Sequence, residues 1–260
     1  MSTTTSNDNL KEWNLKKLLV PNEASCPFAL IILNQPVNPS SEIFINLWNN
    51  ARIRVCADGG ANRLYDGFAS NNEKRMNFLP DYIHGDLDSL LPKTKEYYEN
   101  LDVNVIQDED QYSTDLTKCY NLIKSKQVSL NLNEPLNIII HGGIGGRFDH
   151  SLASIQSLYK FPRDITVLLY SPETLTFLLN KDQNHTIFID DKFIGPTCGL
   201  LPIGGKVEKL YTTGLKWNLD GESSYFGGLV STSNLIDDIT VTIKLESEHH
   251  IIFTCEINEF

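Results

Sequence analysis

Between residues 28 and 170 the chain keeps repeating one unit: a short, mostly apolar run, a turn, then a stretch with helical spacing. The runs at 28–33, 53–57, 81–84, 103–107, 137–141 and 165–170 have the length of strands. They show little polar alternation, which suits strands covered on both faces. Helical stretches are predicted at 41–48, from 61–65 onward, at 114–126 and at 151–159. In the third, Leu116, Cys119, Tyr120 and Ile123 form one stripe; in the fourth, Leu152, Ile155 and Leu158 do. Parallel strands need crossovers, and helices are the usual ones, so the alternation predicts an α/β domain with a mostly parallel, Rossmann-like sheet.

Near residue 180 the period changes. Ile239, Val241, Ile243 and Leu245 alternate with Thr240, Thr242 and Lys244, and Ile251, Phe253, Cys255 and Ile257 repeat the pattern. A period of two marks half-buried antiparallel strands, and the frequent glycines supply turns, which together predict an all-β sandwich. The expected organisation is an N-terminal tail over 1–22 with a short helix before Pro21, an α/β domain over 23–180 and a β-sandwich over 181–260.

Charge and cysteine usage narrow the function classes. A formal net charge of -11 argues against nucleic acid or an anionic membrane as partner. Cys26, Cys56, Cys119, Cys198 and Cys255 are odd in number and show no CxxC spacing, so buried free thiols in a reducing compartment are expected. The first ten residues are polar and carry no signal-like apolar core, so a cytoplasmic location is expected. The sequon at Asn184-His185-Thr186 has no role without a secretory route.

Acidic residues follow the predicted strands: Asp58 after 53–57, Asp86 and Asp88 after 81–84, Asp108 and Asp110 after 103–107, and Asp149 after 137–141. In a parallel sheet these ends share one edge, the edge at which open α/β sheets bind ligands. Carboxylates crowded there repel unless a cation offsets them. Asp86-Leu87-Asp88 is a DxD unit whose acids would point the same way in an extended stretch, suiting Mg²⁺ with its preference for oxygen ligands. The same residues also make an ordinary turn. Ser113-Thr114-Asp115 opens the helix at 114–126 and reads either as a cap or as a further metal and phosphate contact. The run 142–150 holds four glycines followed by Arg147 and Asp149, a loop whose amides could take a phosphate at a helix start. It matches neither GxGxxG nor GxxxxGK[ST]. Trp217, in a glycine-bounded polar loop, is either core or a stacking surface for a flat heterocycle, with Ser231-Thr232-Ser233-Asn234 as polar company.

Together these segments resemble the eukaryotic-type thiamine pyrophosphokinase family, whose members convert thiamine and ATP to thiamine diphosphate and AMP. The likeness is carried by CADGGAN at 56–62, PDYIHGDLDS at 80–89, Gln107-Asp108 with Ser113-Thr114-Asp115-Leu116, the glycine loop at 142–150, CGLLPIG at 198–204, TGLKWNL at 213–219 and STSN at 231–234. It implies a homodimer with active sites at the subunit interface, using Mg²⁺ with ATP as co-substrate. Asp86, Asp88 and Asp115 would be the metal and catalytic acids, with Arg147 as a catalytic cation. Asp58, Ser89, Gln107, Thr114 and Asp149 would lie on the ATP side. Trp217, Ser233 and Asn234 would form the thiamine pocket. His84 stands where the family more usually has an aliphatic residue. A kinase releasing ADP, or a binding protein without turnover, would share parts of this pattern.

Overall fold

A computed structural model of the chain describes residues 9–20, 27–68, 71–129, 132 and 134–258. They fall into two compact units, one running from Val20 to Pro172 and the other made of the described residues up to Leu19 together with those from Glu173. Cys26, and residues 1–8, 21 and 22 of the segment expected as a tail, lie outside the described residues.

What is described of that segment is ordered structure. Strand β1 (Leu10–Asn14) and helix α1 (Leu15–Leu19) belong to the second unit. The short helix was expected; the strand was not, because LKEWN carries only two large apolar residues. Its place is set by a partner far away in sequence.

The first unit runs β2 (Phe28–Ile32), α2 (Glu42–Asn50), β3 (Ile53–Ala57), α3 (Gly60–Gly67), α4 (Asn72–Met76), β4 (Tyr82–Gly85), α5 (Pro92–Glu99), β5 (Asn104–Gln107), α6 (Asp115–Ser129), β6 (Asn137–His141), α7 (Phe148–Lys160) and β7 (Val167–Tyr170). Its strands lie in the order β7-β6-β2-β3-β4-β5, and every pair is parallel. The central strand β2, with the sequence FALII, is buried at all five positions, as its unbroken apolar run requires. Because the chain leaves β2 towards β3 but leaves β6 towards β7, the strand order reverses between β2 and β6, and a crevice opens at their C-terminal ends.

The helices follow their local signals where those exist. Ser41 caps α2 by accepting the Phe44 N–H at 3.0 Å, and the helix buries Ile43, Phe44, Leu47 and Trp48. Pro92 opens α5. The α4 and α5 helices have no apolar stripe in sequence, and periodicity misses both. α4 is held instead by a cation. Arg75 is buried, lies 3.9 Å from the centre of the Tyr65 ring, and donates to the Tyr65 and Phe68 carbonyls.

The second unit adds β8 (Thr174–Leu179), β9 (Asn184–Phe188), β10 (Ile194–Leu201), β11 (Val207–Thr213), β12 (Asp220–Ser224), β13 (Ser231–Leu235), β14 (Thr240–Glu246) and β15 (Ile251–Ile257). One of its sheets is β13-β10-β15-β8 and the other β1-β9-β14-β11-β12. All pairs in them are antiparallel except β1 with β9. Trp13 of the second sheet stacks on Phe177 of the first with ring centres 4.2 Å apart, and Phe177 meets Phe253 at 5.3 Å. No described residue after α7 is helical. The units change over at residues 172 and 173, earlier than the expected 180, because β8 pairs with β15 from Thr174 to Leu179.

Cys56, Cys119, Cys198 and Cys255 are free and buried. Burial pushes all four thiols well above the usual range, Cys198 up to about 12, so these groups are packing residues and poor nucleophiles.

Candidate active site

At the end of β3 the chain turns through Asp58, a non-glycine residue in the left-handed region (φ 43°). Its N–H donates to the His84 carbonyl at 3.1 Å, which fixes the turn against β4. The side chain is buried. One carboxylate oxygen, Oδ2, accepts the Ser89 N–H at 3.1 Å, while Oδ1 is buried without a hydrogen-bond partner.

Strand β4 ends at Gly85, and this position needs a glycine. A Cβ there would stand 2.9 Å from Asp115 Oδ1 and 3.0 Å from Asp58 Cβ, inside both contact distances. The gap lets three elements close on one point. Asp58, Asp86 and Asp115 each offer a carboxylate oxygen, and these oxygens lie within 4.8 Å of one another. Asp86 also donates its N–H to Asp115 Oδ1 at 3.4 Å. Burial, then the nearby Asp86 charge, raises the pKa of Asp115; burial is also the main cause raising that of Asp58, with the Asp115 charge adding to it. Both residues therefore hold their negative charge at a cost. The carboxylates line a cleft of about 330 Å³ shared with Asn34, Ser89, Thr114 and His150.

The donor set is made only of oxygens, one of them buried and unpaired, and the mutual repulsion would be relieved by a cation. These residues fit a hard divalent ion such as Mg²⁺, which takes few carboxylates and leaves the rest of its shell to water and phosphate.

Asp88 does not join the group. The expectation that Asp86 and Asp88 point the same way assumed an extended stretch, but Leu87 between them is left-handed (φ 65°). Asp88 is exposed, and its carboxylate accepts the Ser89 hydroxyl at 2.9 Å. Asp58, expected on the ATP side, stands in the acidic group instead.

Other expected residues build the walls. Gln107 is exposed, and its amide donates to the Asp86 carbonyl at 3.0 Å, steadying the DxD turn. The Thr114 hydroxyl accepts the Thr117 N–H at 3.3 Å, so it caps α6 while standing on the cleft wall. In the glycine loop, Gly142, Gly145 and Gly146 all have positive φ, and Gln35 packs where a Cβ at Gly142 or Gly146 would stand. Ser151 closes the loop by accepting the Gly145 N–H at 3.1 Å. Arg147 donates to both Asp149 oxygens, at 3.2 and 2.6 Å, in an exposed pair that depresses the Asp149 pKa.

In the second unit Trp217 is not a core residue: it is 55% exposed, with Lys216 Nζ 4.9 Å from the ring centre. Buried Asn234 holds its loop, accepting the Trp217 N–H at 3.2 Å and donating to the Trp217 carbonyl at 2.9 Å. Ser233 is left-handed (φ 54°) and lines a different hollow, of about 570 Å³, with Cys198, Thr232 and Thr254. Sequence reading passes over Asn62 and Lys118. Asn62 donates to the Ser89 carbonyl at 2.7 Å and accepts the Leu91 N–H at 3.1 Å, clamping the segment after the DxD turn. Lys118 had one available signal, its i+3 spacing from Asp115 on the same helix.

Comparison with known proteins gives the site its family. The family model described as thiamin pyrophosphokinase, catalytic domain, matches residues 44–169, and that described as thiamin pyrophosphokinase, vitamin B1 binding domain, matches 184–249. Thiamine pyrophosphokinase 1 of Oryza sativa subsp. japonica is 41% identical over 233 residues, covering 87% of this chain and 86% of the relative. Thiamine pyrophosphokinase of Saccharomyces cerevisiae is 37% identical over 266 residues, covering 85% and 82%. The crystal structure of the yeast enzyme superposes with a TM-score of 0.84 at 33% identity, covering 99% of this chain and 94% of that one. The corresponding figures for the Candida albicans enzyme are 0.81, 29%, 96% and 93%. Two domain matches in chain order, and relatives this similar over most of both chains, place the chain in the thiamine pyrophosphokinase family.

Proposed function

We propose that the chain transfers the diphosphoryl group of ATP to the hydroxyl of thiamine, with the acidic cleft of the first unit receiving the phosphates. In this reading the thiamine oxygen bonds to the β-phosphorus, the bond from that phosphorus to the oxygen of the α-phosphate breaks, AMP leaves, and the hydroxyl proton passes to solvent or a nearby base. The observation that carries the reading is the convergence of Asp58, Asp86 and Asp115 at one sheet edge, within a chain of this family.

Phosphoryl transfers of this kind have loose transition states, so positioning and charge balance matter more than proton abstraction. Asp58, Asp86 and Asp115 would hold Mg²⁺, and Mg²⁺ when bound neutralises phosphate charge that the acids would otherwise repel. Gln107 and Asn62 hold the backbone that presents Asp86 and Ser89. The amides of the glycine loop and the Arg147 guanidinium supply donors suited to phosphate oxygens. Asp149 keeps Arg147 in place, and with Thr114 and Ser89 it would serve the ATP side. Asp88 orients Ser89 through its hydroxyl. On the thiamine side the exposed Trp217 ring offers a face to a flat, cationic heterocycle, with Asn234 fixing its loop and Ser233 offering a hydroxyl.

A homodimer with active sites at the subunit interface, in the cytoplasm, completes the reading. Among the described residues no helix is long and apolar enough to cross a membrane. The test is product analysis after incubating the chain with Mg²⁺, ATP and thiamine. AMP and thiamine diphosphate in equal amounts are expected. ADP with thiamine monophosphate, or no ATP consumption, would overturn the assignment.

A further inference from the structure

We propose that Lys118 is a positioning residue of the acidic cleft, a built-in counter-cation that keeps Asp115 beside Asp58 and Asp86 while no metal is bound. The inference rests on the reading of that cleft as a divalent-cation site. Lys118 lies one turn along α6 from Asp115, and its side chain is only 2% exposed. Its ammonium stands 3.5 Å from Asp115 Oδ1 and donates to the Asp108 carbonyl at 3.0 Å.

Lysine is rarely buried so fully without a partner, and here the partner is one of the converging carboxylates. Three carboxylates against one ammonium leave a formal charge of two negative, the charge that a single divalent cation balances. The second hydrogen bond has its own effect. Asp108 begins the segment that leads from β5 to Asp115, and inside that segment Asp110 and Tyr112 donate their N–H groups only to near neighbours. Lys118 therefore ties both ends of the segment to one atom. Packing does not explain a charge here, because Leu116, Cys119, Tyr120 and Ile123 already bury the apolar face of α6, and a methionine would fill the position with less desolvation.

The test uses Lys118→Met and the double variant Asp115→Asn/Lys118→Met in the full chain, melted with chelator and with Mg²⁺ alone. With chelator, Lys118→Met should melt below wild type, and Mg²⁺ should restore much of that loss. The Mg²⁺-induced rise in Tm should then be at least about twice that of wild type, since a ligand stabilises most where its site is least compensated. Where Mg²⁺ raises the wild-type Tm, a rise in Lys118→Met no larger than wild type's would overturn the proposal. The double variant should melt above Lys118→Met in chelator, because removing the carboxylate removes the need for its counter-cation. If Lys118→Met does not fold, a folded double variant supports the proposal and an unfolded one overturns it. If Mg²⁺ raises the Tm of no form, including wild type, the cation-site reading fails instead. The chelator comparison then still decides on Lys118: recovery in the double variant supports the role, and no recovery overturns it.

Discussion

Acidification should unfasten the N-terminal strand through His185. Its ring is buried; Nδ1 accepts the Trp13 indole N–H at 3.2 Å and Nε2 donates to the Asn180 carbonyl at 3.0 Å, so the folded ring is neutral with its proton on Nε2. A second proton would land on Nδ1, facing a donor. Burial first, and then the charges of Lys11 and His250, pull the pKa down from 6.5 to about 4. The folded value lies below the unfolded one, so the contribution to stability is complete above the unfolded value. It is lost as pH falls through the window between the two, and it changes no further once both states are protonated. The full window is worth roughly 3 kcal/mol, and a step from about pH 7.5 to about pH 5 costs about 2 kcal/mol. The assay is urea unfolding followed by tryptophan fluorescence, comparing wild type with His185→Gln, which cannot titrate. Other groups lose stability in acid too, so the reading is the difference between the two proteins. The wild-type advantage should shrink by about 2 kcal/mol over that step, or about 1 M in midpoint at a slope of about 2 kcal/mol/M. A difference that stays constant with pH would refute the reasoning.

Two further substitutions test the site. Asp86→Asn should lower kcat by about a hundredfold or more with little change in Tm, whereas Asp88→Asn should lose about tenfold or less, because Asp88 lies outside the converging group. Equal losses in steady-state assays would return Asp88 to the metal site. Trp217→Ala should raise KM for thiamine by about three- to tenfold, leave KM for ATP unchanged, and barely move the melting curve, since the ring is exposed; a large stability loss would mean the ring is structural.

Runs such as FALII and NIIIH can be satisfied only by burial on both faces, which makes the parallel sheet legible in the residues themselves. The alternation over 241–245 likewise declares one dry face, with Val241, Ile243 and Leu245 buried, whereas Ile239 is 77% exposed and Ile252 is buried beside Ile251 and Phe253. The site is legible as motifs: Asp58 and Asp86 stand at one edge, as strand-end reasoning puts them, and Asp115 joins them from the start of α6. Elements without a local signal are missed. The α4 helix depends on a buried arginine, and the clamp at Asn62 shows only once Ser89 and Leu91 have folded next to it.

From its own residues, then, the chain determines the alternation of strands and helices in the first unit, the edge on which its acids gather, and its family. The tertiary structure alone decides which acids meet. A left-handed Leu87 turns Asp88 away, while Gly85 leaves the space into which Asp58 and Asp115 close. It also decides that residues 10–14 form a strand, through pairing with 184–188. Patterning follows from each residue's own cost of leaving water, a local property. Convergence depends on a few backbone angles and on contacts between residues far apart in sequence, and these take their values only when the chain has closed around them.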